Sequence, residues 1–175
     1  MLLKTIFLDR DGVINKEANY LFKIGDFEFI DGIFQACRHF QRLNYEIVVV
    51  TNQSGISRGL YTIKDYELIT EWMLNQFLKN GVGILDVFSC HHGPSSNCIC
   101  RKPKPGMFIS ADKKYNIDMN NSWMIGDKES DIQAAYNAGI KNTILVKSGH
   151  KIQETKSSAK FILDSIKNSI EIITS

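Results

Sequence analysis

The chain has 175 residues, 43% of them hydrophobic, and a formal net charge of +2 at pH 7. Its length fits one domain spanning residues 1–175, and 21 basic against 19 acidic residues give no overall field that would attract nucleic acid or a membrane surface. No stretch approaches the roughly 20 apolar residues of a membrane-spanning helix, and the apolar start is too short for a signal peptide. We therefore expect a cytoplasmic protein whose partner is a small molecule. Because no long apolar heptad demands a second chain, a monomer is expected.

Short apolar runs that end in polar or glycine-rich turns predict buried strands. They cover residues 5–8, 46–50, 85–89, 122–125 and 143–146, and a further edge strand is predicted over 160–163. Helical patterns lie between and after them, over residues 32–43, 63–79, 106–115, 130–138 and 165–173. The polar stretch 148–158 is expected to be a mobile connection. This alternation predicts an α/β fold, a three-layer Rossmann-like parallel sheet covered on both faces.

Polar side chains follow the first four predicted strands, where ligands of open parallel sheets bind. They are Asp9 and Asp11, then Thr51 and Asn52, then the segment 90–104, then Asp127 and Asp131. If the first and fourth strands are neighbours, the carboxylates converge and repel each other unless a cation lies among them. Hard oxygen ligands with open positions suit Mg²⁺. The alternative is that Asp11 and Asp131 only cap turns and helices, and for Asp131 the sequence leaves both readings open.

Three of the four cysteines are clustered. Cys90, Cys98 and Cys100 lie within eleven residues, and His91 and His92 follow the first of them. Three thiolates and one imidazole make a closed tetrahedral site, which is typical of structural zinc and would brace a loop that has no core of its own. The spacing allows either histidine, and free thiols or a disulfide are the alternatives. The fourth, Cys37, lies among apolar residues at helical spacing and is predicted to be a core residue.

Four motifs occur in order along the chain: Asp9-x-Asp11-Gly-x-Ile after a strand, Thr51 at a strand end, Lys102, and Gly-Asp127-x-x-x-Asp131. Together they resemble the motifs of the haloacid dehalogenase (HAD) superfamily of phosphatases. Residues 51–56, residues 100–106 and the cysteine cluster resemble more narrowly the heptose bisphosphate phosphatases of that superfamily. The resemblance extends from residue 6 to about residue 146.

This resemblance implies a magnesium-dependent phosphatase with Asp9 as the nucleophile and Asp11 as the general acid and base. Thr51 and Lys102 would then hold the phosphoryl oxygens, and Mg²⁺ would be bound by Asp9, the main chain of Asp11 and Asp127. Zinc would be bound by Cys90, His92, Cys98 and Cys100. The substrate contacts that it implies are Glu17, Ala18, Asn19, Tyr20, Thr51, Asn52, Gln53, Ser54, Arg101, Lys102 and Lys128.

The implied reaction is removal of the C7 phosphate from D-glycero-D-manno-heptose 1,7-bisphosphate, in the synthesis of activated heptose for lipopolysaccharide. The preferred anomer stays open. Histidinol-phosphate phosphatases share the zinc loop and are the alternative, but residues 52–56, Pro105-Gly106 and Lys128 are more similar to the heptose enzymes. A catalytically silent binding module is a further alternative that would not explain the catalytic set. No insertion is long enough for a separate cap domain, so we expect an open site rimmed by residues 15–29, residues 55–61 and the zinc loop.

Overall fold

The computed structural model describes residues 2–174 and contains the predicted alternation of strands and helices. The strands are Thr5–Leu8 (β1), Glu46–Asn52 (β2), Asp86–Cys90 (β3), Trp123–Gly126 (β4), Asn142–Val146 (β5) and Phe161–Leu163 (β6). The α-helices are Ile33–Arg42 (α1), Ile63–Lys79 (α2), Gly106–Tyr115 (α3) and Glu129–Asn137 (α4). Short 3-10 helices cover Ile24–Asp26, Met119–Asn121, Glu154–Lys156 and Ile166–Glu171.

The last predicted helix, over residues 165–173, is wrong in type and length. The structure has a 3-10 helix over Ile166–Glu171 instead. Its backbone bonds span three residues, as from the N–H of Asn168 to the carbonyl of Ser165 at 3.1 Å. The short turn lets Ile166 and Ser169 both lie buried.

All six strands form one parallel sheet in the order β3-β2-β1-β4-β5-β6. The chain moves outward from β1 to β3, returns to the other side of β1 with β4, and then moves outward again. The order therefore reverses between β1 and β4, and the carboxyl ends of these two strands are where a ligand cleft is expected.

Successive residues of each strand point to opposite faces of the sheet, and both faces are covered. Ile6 and Leu8 pack on the face covered by α1, α2 and the C-terminal 3-10 helix. Phe7 packs on the other face, against α3 and α4. The predicted three-layer arrangement is confirmed. Cys37 is fully buried within the first of these clusters, as predicted, and burial raises the pKa of its thiol.

Within residues 2–174, every helix is too short or too polar to cross a bilayer. In the same part of the chain, the segments between strands and α-helices contain nothing longer than a short 3-10 helix.

Candidate active site

Asp9 and Asp127 lie side by side at the point where the strand order reverses. Asp9 follows β1 and Asp127 follows β4, and the backbone N–H of Asp9 donates to the carbonyl of Ile125 at 3.0 Å. Gly12 turns the chain with φ +89°, and a Cβ there would lie 2.3 Å from Oδ2 of Asp127. Only glycine therefore lets the first loop pass this close to the second carboxylate.

The buried Lys102 ammonium joins the two strand ends. Its Nζ donates to Oδ1 of Asp9 at 2.8 Å, to Oδ1 of Asp131 at 2.7 Å and to the carbonyl of Val50 at 2.7 Å. An ammonium has three N–H groups, so all of them are used in this arrangement. A phosphoryl oxygen would have to replace one of these acceptors.

Burial and neighbouring charges act on both members of this pair. Burial raises the pKa of Asp9 well above its ordinary value; Lys102 opposes this, and the nearby carboxylates of Asp131, Asp127 and Asp11 add to it. Burial lowers the pKa of Lys102, but Asp131 and Asp9 outweigh it and raise this pKa above its ordinary value. Lys102 therefore stays charged beside the proposed nucleophile.

Asp11 is held by three side chains. Arg10, which is 2% exposed, donates from Nη2 to Oδ1 at 2.8 Å and to Oδ2 at 3.0 Å. Asn15 donates to Oδ1 at 3.0 Å, and Gln53 donates to Oδ2 at 3.1 Å. Burial would raise the pKa of Asp11, but these donors, Arg10 foremost, lower it.

Gln53 connects the Asp11 carboxylate to Thr51. Its Nε2 also contacts Oγ1 of Thr51 at 2.9 Å, and its Oε1 accepts a hydrogen bond from the Tyr61 hydroxyl. Burial raises the pKa of Tyr61 to about 12, so its hydroxyl keeps its proton and remains a donor. Gln53, predicted as a substrate contact, thus also positions Asp11.

The carboxylates at the switch point fit a hard divalent cation. Ligand atoms of Asp9, Asp127 and Asp131 lie within 4.8 Å of one another, and all three residues are buried. Oδ1 of Asp127 is buried and finds no hydrogen-bond partner among residues 2–174. Such an oxygen is costly unless it binds something, and Mg²⁺ prefers oxygen ligands of this kind.

A cleft of about 240 Å³ opens beside Asp9. Of the predicted site residues, those that line it are Asp9, Asp11, Glu17, Asn19, Tyr20, Gln53, Ser54, Arg101 and Lys128. Thr51 and Lys102 lie buried beneath its floor.

Besides Thr51 and Lys102, two predicted substrate contacts do not line this cleft. Ala18 is exposed outside it. Asn52 uses its side chain on the main chain of Lys102, accepting from the N–H at 3.1 Å and donating to the carbonyl at 3.2 Å. Asn52 therefore aligns the lysine segment with β2.

Four further residues line the cleft wall: Arg10, Arg58, Tyr61 and His150. Arg58 and Tyr61 lie in the predicted rim segment 55–61 but were not named as site residues, whereas Arg10 and His150 were missed. Arg58 lies over the ring of Tyr20, 5.7 Å from its centroid. Arg10 lies between two motif aspartates, and that position was the one available signal. His150 lies in a polar run without periodicity, so nothing in the sequence distinguished it.

The cysteine cluster is assembled as predicted. Cys90 Sγ lies 3.0 Å from Cys100 Sγ and 3.8 Å from Cys98 Sγ, distances too long for a disulfide. Nδ1 of His92 faces this group, 3.2 Å from Cys100 Sγ. His91 points elsewhere, with Nε2 2.8 Å from the Ser89 hydroxyl. The four residues Cys90, His92, Cys98 and Cys100 therefore offer one converging ligand set.

The thiols of this cluster differ in acidity. Burial raises the pKa of Cys90 to about 12, and hydrogen bonds with the other two thiols add to the rise. For Cys98 burial is outweighed by the N–H of Arg101 and by the other thiols, and its pKa falls to about 6. A bound cation would stabilise all three thiolates, which is what a zinc site requires.

The parallel sheet with this order, together with a nucleophile-like aspartate beside a buried lysine and a second acidic loop, defines a hydrolase of the HAD-like class. A family model described as HAD-hydrolase-like matches residues 99–169. A crystal structure of D,D-heptose 1,7-bisphosphate phosphatase from B. bronchiseptica, complexed with magnesium and phosphate, superposes with a TM-score of 0.85 at 29% identity and covers 97% of both chains.

Curated relatives narrow the class further. The D-glycero-alpha-D-manno-heptose-1,7-bisphosphate 7-phosphatase of Photorhabdus laumondii is 49% identical over 164 residues, 90% of each chain. The corresponding beta-anomer enzyme of Vibrio cholerae is 45% identical over 176 residues, 96% of this chain and 95% of that one. The chain belongs to the family of D-glycero-D-manno-heptose-1,7-bisphosphate 7-phosphatases. The resemblance and the HAD-like fold are thus confirmed, while the relatives divide between the two anomers.

Proposed function

We propose that this protein removes the C7 phosphate of D-glycero-D-manno-heptose 1,7-bisphosphate in the synthesis of activated heptose. One observation carries the proposal: the carboxylate of Asp9 lies 2.8 Å from the Lys102 ammonium and beside Asp127, at the floor of a cleft rimmed by cations. Family membership at 49% identity supports the heptose bisphosphate as substrate.

In the first step, a carboxylate oxygen of Asp9 attacks phosphorus and the bond from phosphorus to the sugar O7 breaks. Since Oδ1 of Asp9 accepts from Lys102, Oδ2 is the oxygen available for attack. Asp11 gives its proton to the departing O7. Without substrate, Arg10 lowers the pKa of Asp11, so this step requires that the negative charge of the bound substrate favour the protonated carboxyl.

In the second step, water attacks the phosphorus of the aspartyl phosphate and Asp11 takes its proton. The bond between phosphorus and Asp9 then breaks, which releases phosphate and restores the carboxylate. Thr51 and Lys102 hold phosphoryl oxygens during both steps, where negative charge develops. Arg10, Asn15 and Gln53 keep Asp11 oriented between the steps.

The residues that would hold Mg²⁺ are Asp9, Asp127 through its unpaired Oδ1, and the main-chain carbonyl of Asp11. When bound, the ion supplies positive charge that screens the phosphate from the carboxylate nucleophile. The proposed zinc ligands are Cys90, His92, Cys98 and Cys100. A zinc ion bound there would brace the loop that carries Arg101 and Lys102.

The rim of the cleft favours a second phosphate over an ammonium group. Arg58, Arg101 and Lys128 border the cleft, and guanidinium groups bind phosphate through paired hydrogen bonds. Heptose bisphosphate carries its other phosphate on C1, whereas histidinol phosphate carries a cationic amine that these side chains would repel. The rim therefore supports the heptose substrate over the histidinol alternative.

The proposal also includes a single-domain monomer that works in the cytoplasm. The location is supported by the cysteines, since none of the four forms a disulfide within residues 2–174, as expected in a reducing compartment.

The first experiment follows phosphate loss from both anomers of heptose 1,7-bisphosphate by ³¹P NMR with Mg²⁺, which distinguishes the C7 ester from the C1 phosphate. Histidinol phosphate is the comparison substrate. Asp9→Asn is expected to abolish release, and Asp26→Asn, at an exposed aspartate on a 3-10 helix, serves as the matched control.

Loss of the C7 resonance alone, in at least one anomer and only with Asp9 present, supports the proposal. Faster release from histidinol phosphate would assign the chain to that activity instead. No release from any of the three would favour a silent binding module.

A further inference from the structure

Residues 148–150 close over the carboxylate of Asp127. The Ser148 hydroxyl donates to the carbonyl of Gly12 at 2.7 Å, which ties this segment to the first loop. A Cβ on Gly149 would lie 2.1 Å from Oδ2 of Asp127 and 2.7 Å from Cα of Gly12. Because glycine leaves this space free, the backbone packs directly against the carboxylate.

His150 directs two hydrogen bonds to one oxygen of Asp127. Its backbone N–H donates to Oδ2 at 2.9 Å, and its ring Nδ1 lies 2.6 Å from the same oxygen. An ionised carboxylate only accepts, so Nδ1 carries the hydrogen of this bond. The other oxygen, Oδ1, is the buried one that finds no partner among residues 2–174.

This division of roles between the two oxygens has a direct consequence for the metal site. A carboxylate fixed through one oxygen can rotate little, and its second oxygen keeps one direction. Side chains that hydrogen-bond to metal ligands in this way set the ligand's orientation and its affinity for the ion.

We propose that His150 is a positioning residue for the magnesium site, which fixes Asp127 through Oδ2 so that Oδ1 faces the ion. The inference rests on the magnesium part of the proposed function and not on the identity of the sugar. His150 also borders the substrate cleft with Glu17 and Lys128, so direct contact with substrate is the rival role.

The test titrates Mg²⁺ into substrate-free protein by isothermal calorimetry. His150→Ala removes one of the two bonds to Oδ2 and is expected to weaken Mg²⁺ binding by about 10- to 100-fold. His150→Asn keeps a side-chain N–H at a similar distance from the backbone and is expected to restore most of the affinity. Lys151→Ala, at the exposed neighbouring residue, is the control and should bind Mg²⁺ as the native chain does.

A second readout separates positioning from substrate contact. The kcat of His150→Ala should recover at saturating Mg²⁺, with KM for the substrate unchanged. An unchanged Mg²⁺ affinity with a raised KM would overturn the proposal in favour of substrate contact. Binding of two ions per chain, the second lost in His150→Ala, would overturn it as well, because His150 would then be a ligand with Glu17 and Asp127.

Ser148→Ala covers the case in which His150→Ala does not fold. It loosens the same segment through Gly12 without removing a bond to Asp127, and a smaller loss of Mg²⁺ affinity is expected. Because calorimetry uses no substrate, failure to hydrolyse heptose bisphosphate would sink the proposed function and leave this inference intact. If His150→Ala and Ser148→Ala bind Mg²⁺ as tightly as the native chain, the role of His150 is overturned and the proposed function is unaffected.

Discussion

Both carboxylate oxygens of Asp131 are used inside the protein. Oδ1 accepts from the Lys102 ammonium at 2.7 Å, and Oδ2 accepts from the backbone N–H groups of Asp127 and Lys128 at 3.1 and 3.0 Å. The capping reading therefore holds, and the reading as a metal ligand stays a prediction. Asp131 caps the start of α4, and the same side chain anchors the lysine next to Asp9.

We predict that Asp131→Asn lowers the free energy of unfolding by about 3 kcal/mol, because it removes one charge of a buried ion pair. Activity should also fall, since Lys102 loses the partner that holds it beside Asp9. The control is Asp65→Asn: Asp65 holds the equivalent position in α2 and accepts from the N–H of Thr62, but it is only half-buried and, among residues 2–174, pairs with no buried cation. Urea unfolding measures the free energy of unfolding of both variants. Equal decreases would show that Asp131 stabilises the fold only as a helix cap.

Asp11→Asn tests the proposed role of Asp11 as general acid, through a comparison of leaving groups. We predict a fall in kcat of about 10²- to 10⁴-fold on heptose bisphosphate, because a sugar alkoxide leaves poorly without a proton. On p-nitrophenyl phosphate the rate of the first step should fall much less, since the phenolate leaves without receiving a proton. Burst kinetics on the aryl ester separate this step from the second. Equal loss of the burst rate on both esters would mean that Asp11 acts in some way other than proton donation.

Residues that the sequence could identify are those whose chemistry is tied to a strand end. Asp9, Asp11, Thr51 and Asp127 lie at or just after the ends of short apolar runs, and parallel strands bring such positions to one edge. Lys102 lies further along, in the polar segment between β3 and α3, and only its motif context pointed to it. His150 reaches the same cleft from the loop after β5, whose course depends on contacts distant in sequence. Composition and periodicity carry no record of those contacts.

At the scale of elements, the cysteine-rich segment 90–104, which carries the proposed zinc ligands, connects β3 to the start of α3. Arg101 donates from Nη1 to the carbonyl of His92 at 3.2 Å, and Lys104 donates to the carbonyl of Cys98 at 2.7 Å. The Asn52 amide brackets the main chain of Lys102 from β2. The cysteine cluster thus sets the position of Arg101, the one cleft-bordering cation that this segment carries.

We predict that loss of zinc raises KM about tenfold, equivalent to about 1.4 kcal/mol, because binding must then order this loop. Cys98→Ser is the variant, and Ser95→Ala, exposed in the same loop, is the control. A chelated sample resupplied with excess Mg²⁺ gives the same comparison without mutation. An unchanged KM in the zinc-free samples would show that the loop positions Arg101 unaided.

Strand and helix assignments succeeded because the sheet is buried on both faces, so each strand is a continuous apolar run. The bounds of α2 were predicted correctly, since Thr62 and Asp65 form the expected capping box. The prediction of the last α-helix was wrong because the spacing of its apolar residues fits an α-helix and a 3-10 helix equally well. There the packing of Ile166 against the core determines the outcome, and that packing is a tertiary effect.

At the scale of the whole molecule, mutually repelling carboxylates are buried together at the carboxyl edge of the sheet. Asp9, Asp127 and Asp131 are buried together, and Lys102 is the cation that pairs with two of them. Burial first, and then the neighbouring acids, hold the pKa of Asp9 well above its unfolded value of about 3.9. A carboxyl group with a raised pKa stabilises the fold fully below its unfolded pKa, and this contribution is lost as pH rises through the folded pKa.

We therefore predict that Asp9→Asn, although inactive, is the more stable protein in magnesium-free buffer at neutral pH. A gain of about 1 kcal/mol would raise the midpoint of thermal unfolding by about 2–4 °C. The difference should shrink as pH falls toward 3.9, because Asp9 then also becomes neutral. With Mg²⁺ at 100 times its Kd the order should reverse, since a site that binds the ion gains about 2.7 kcal/mol and the variant loses a ligand. A variant less stable than the native chain without Mg²⁺ would mean instead that the ion pair with Lys102 outweighs the repulsion, and that the metal is not needed to relieve charge at this edge.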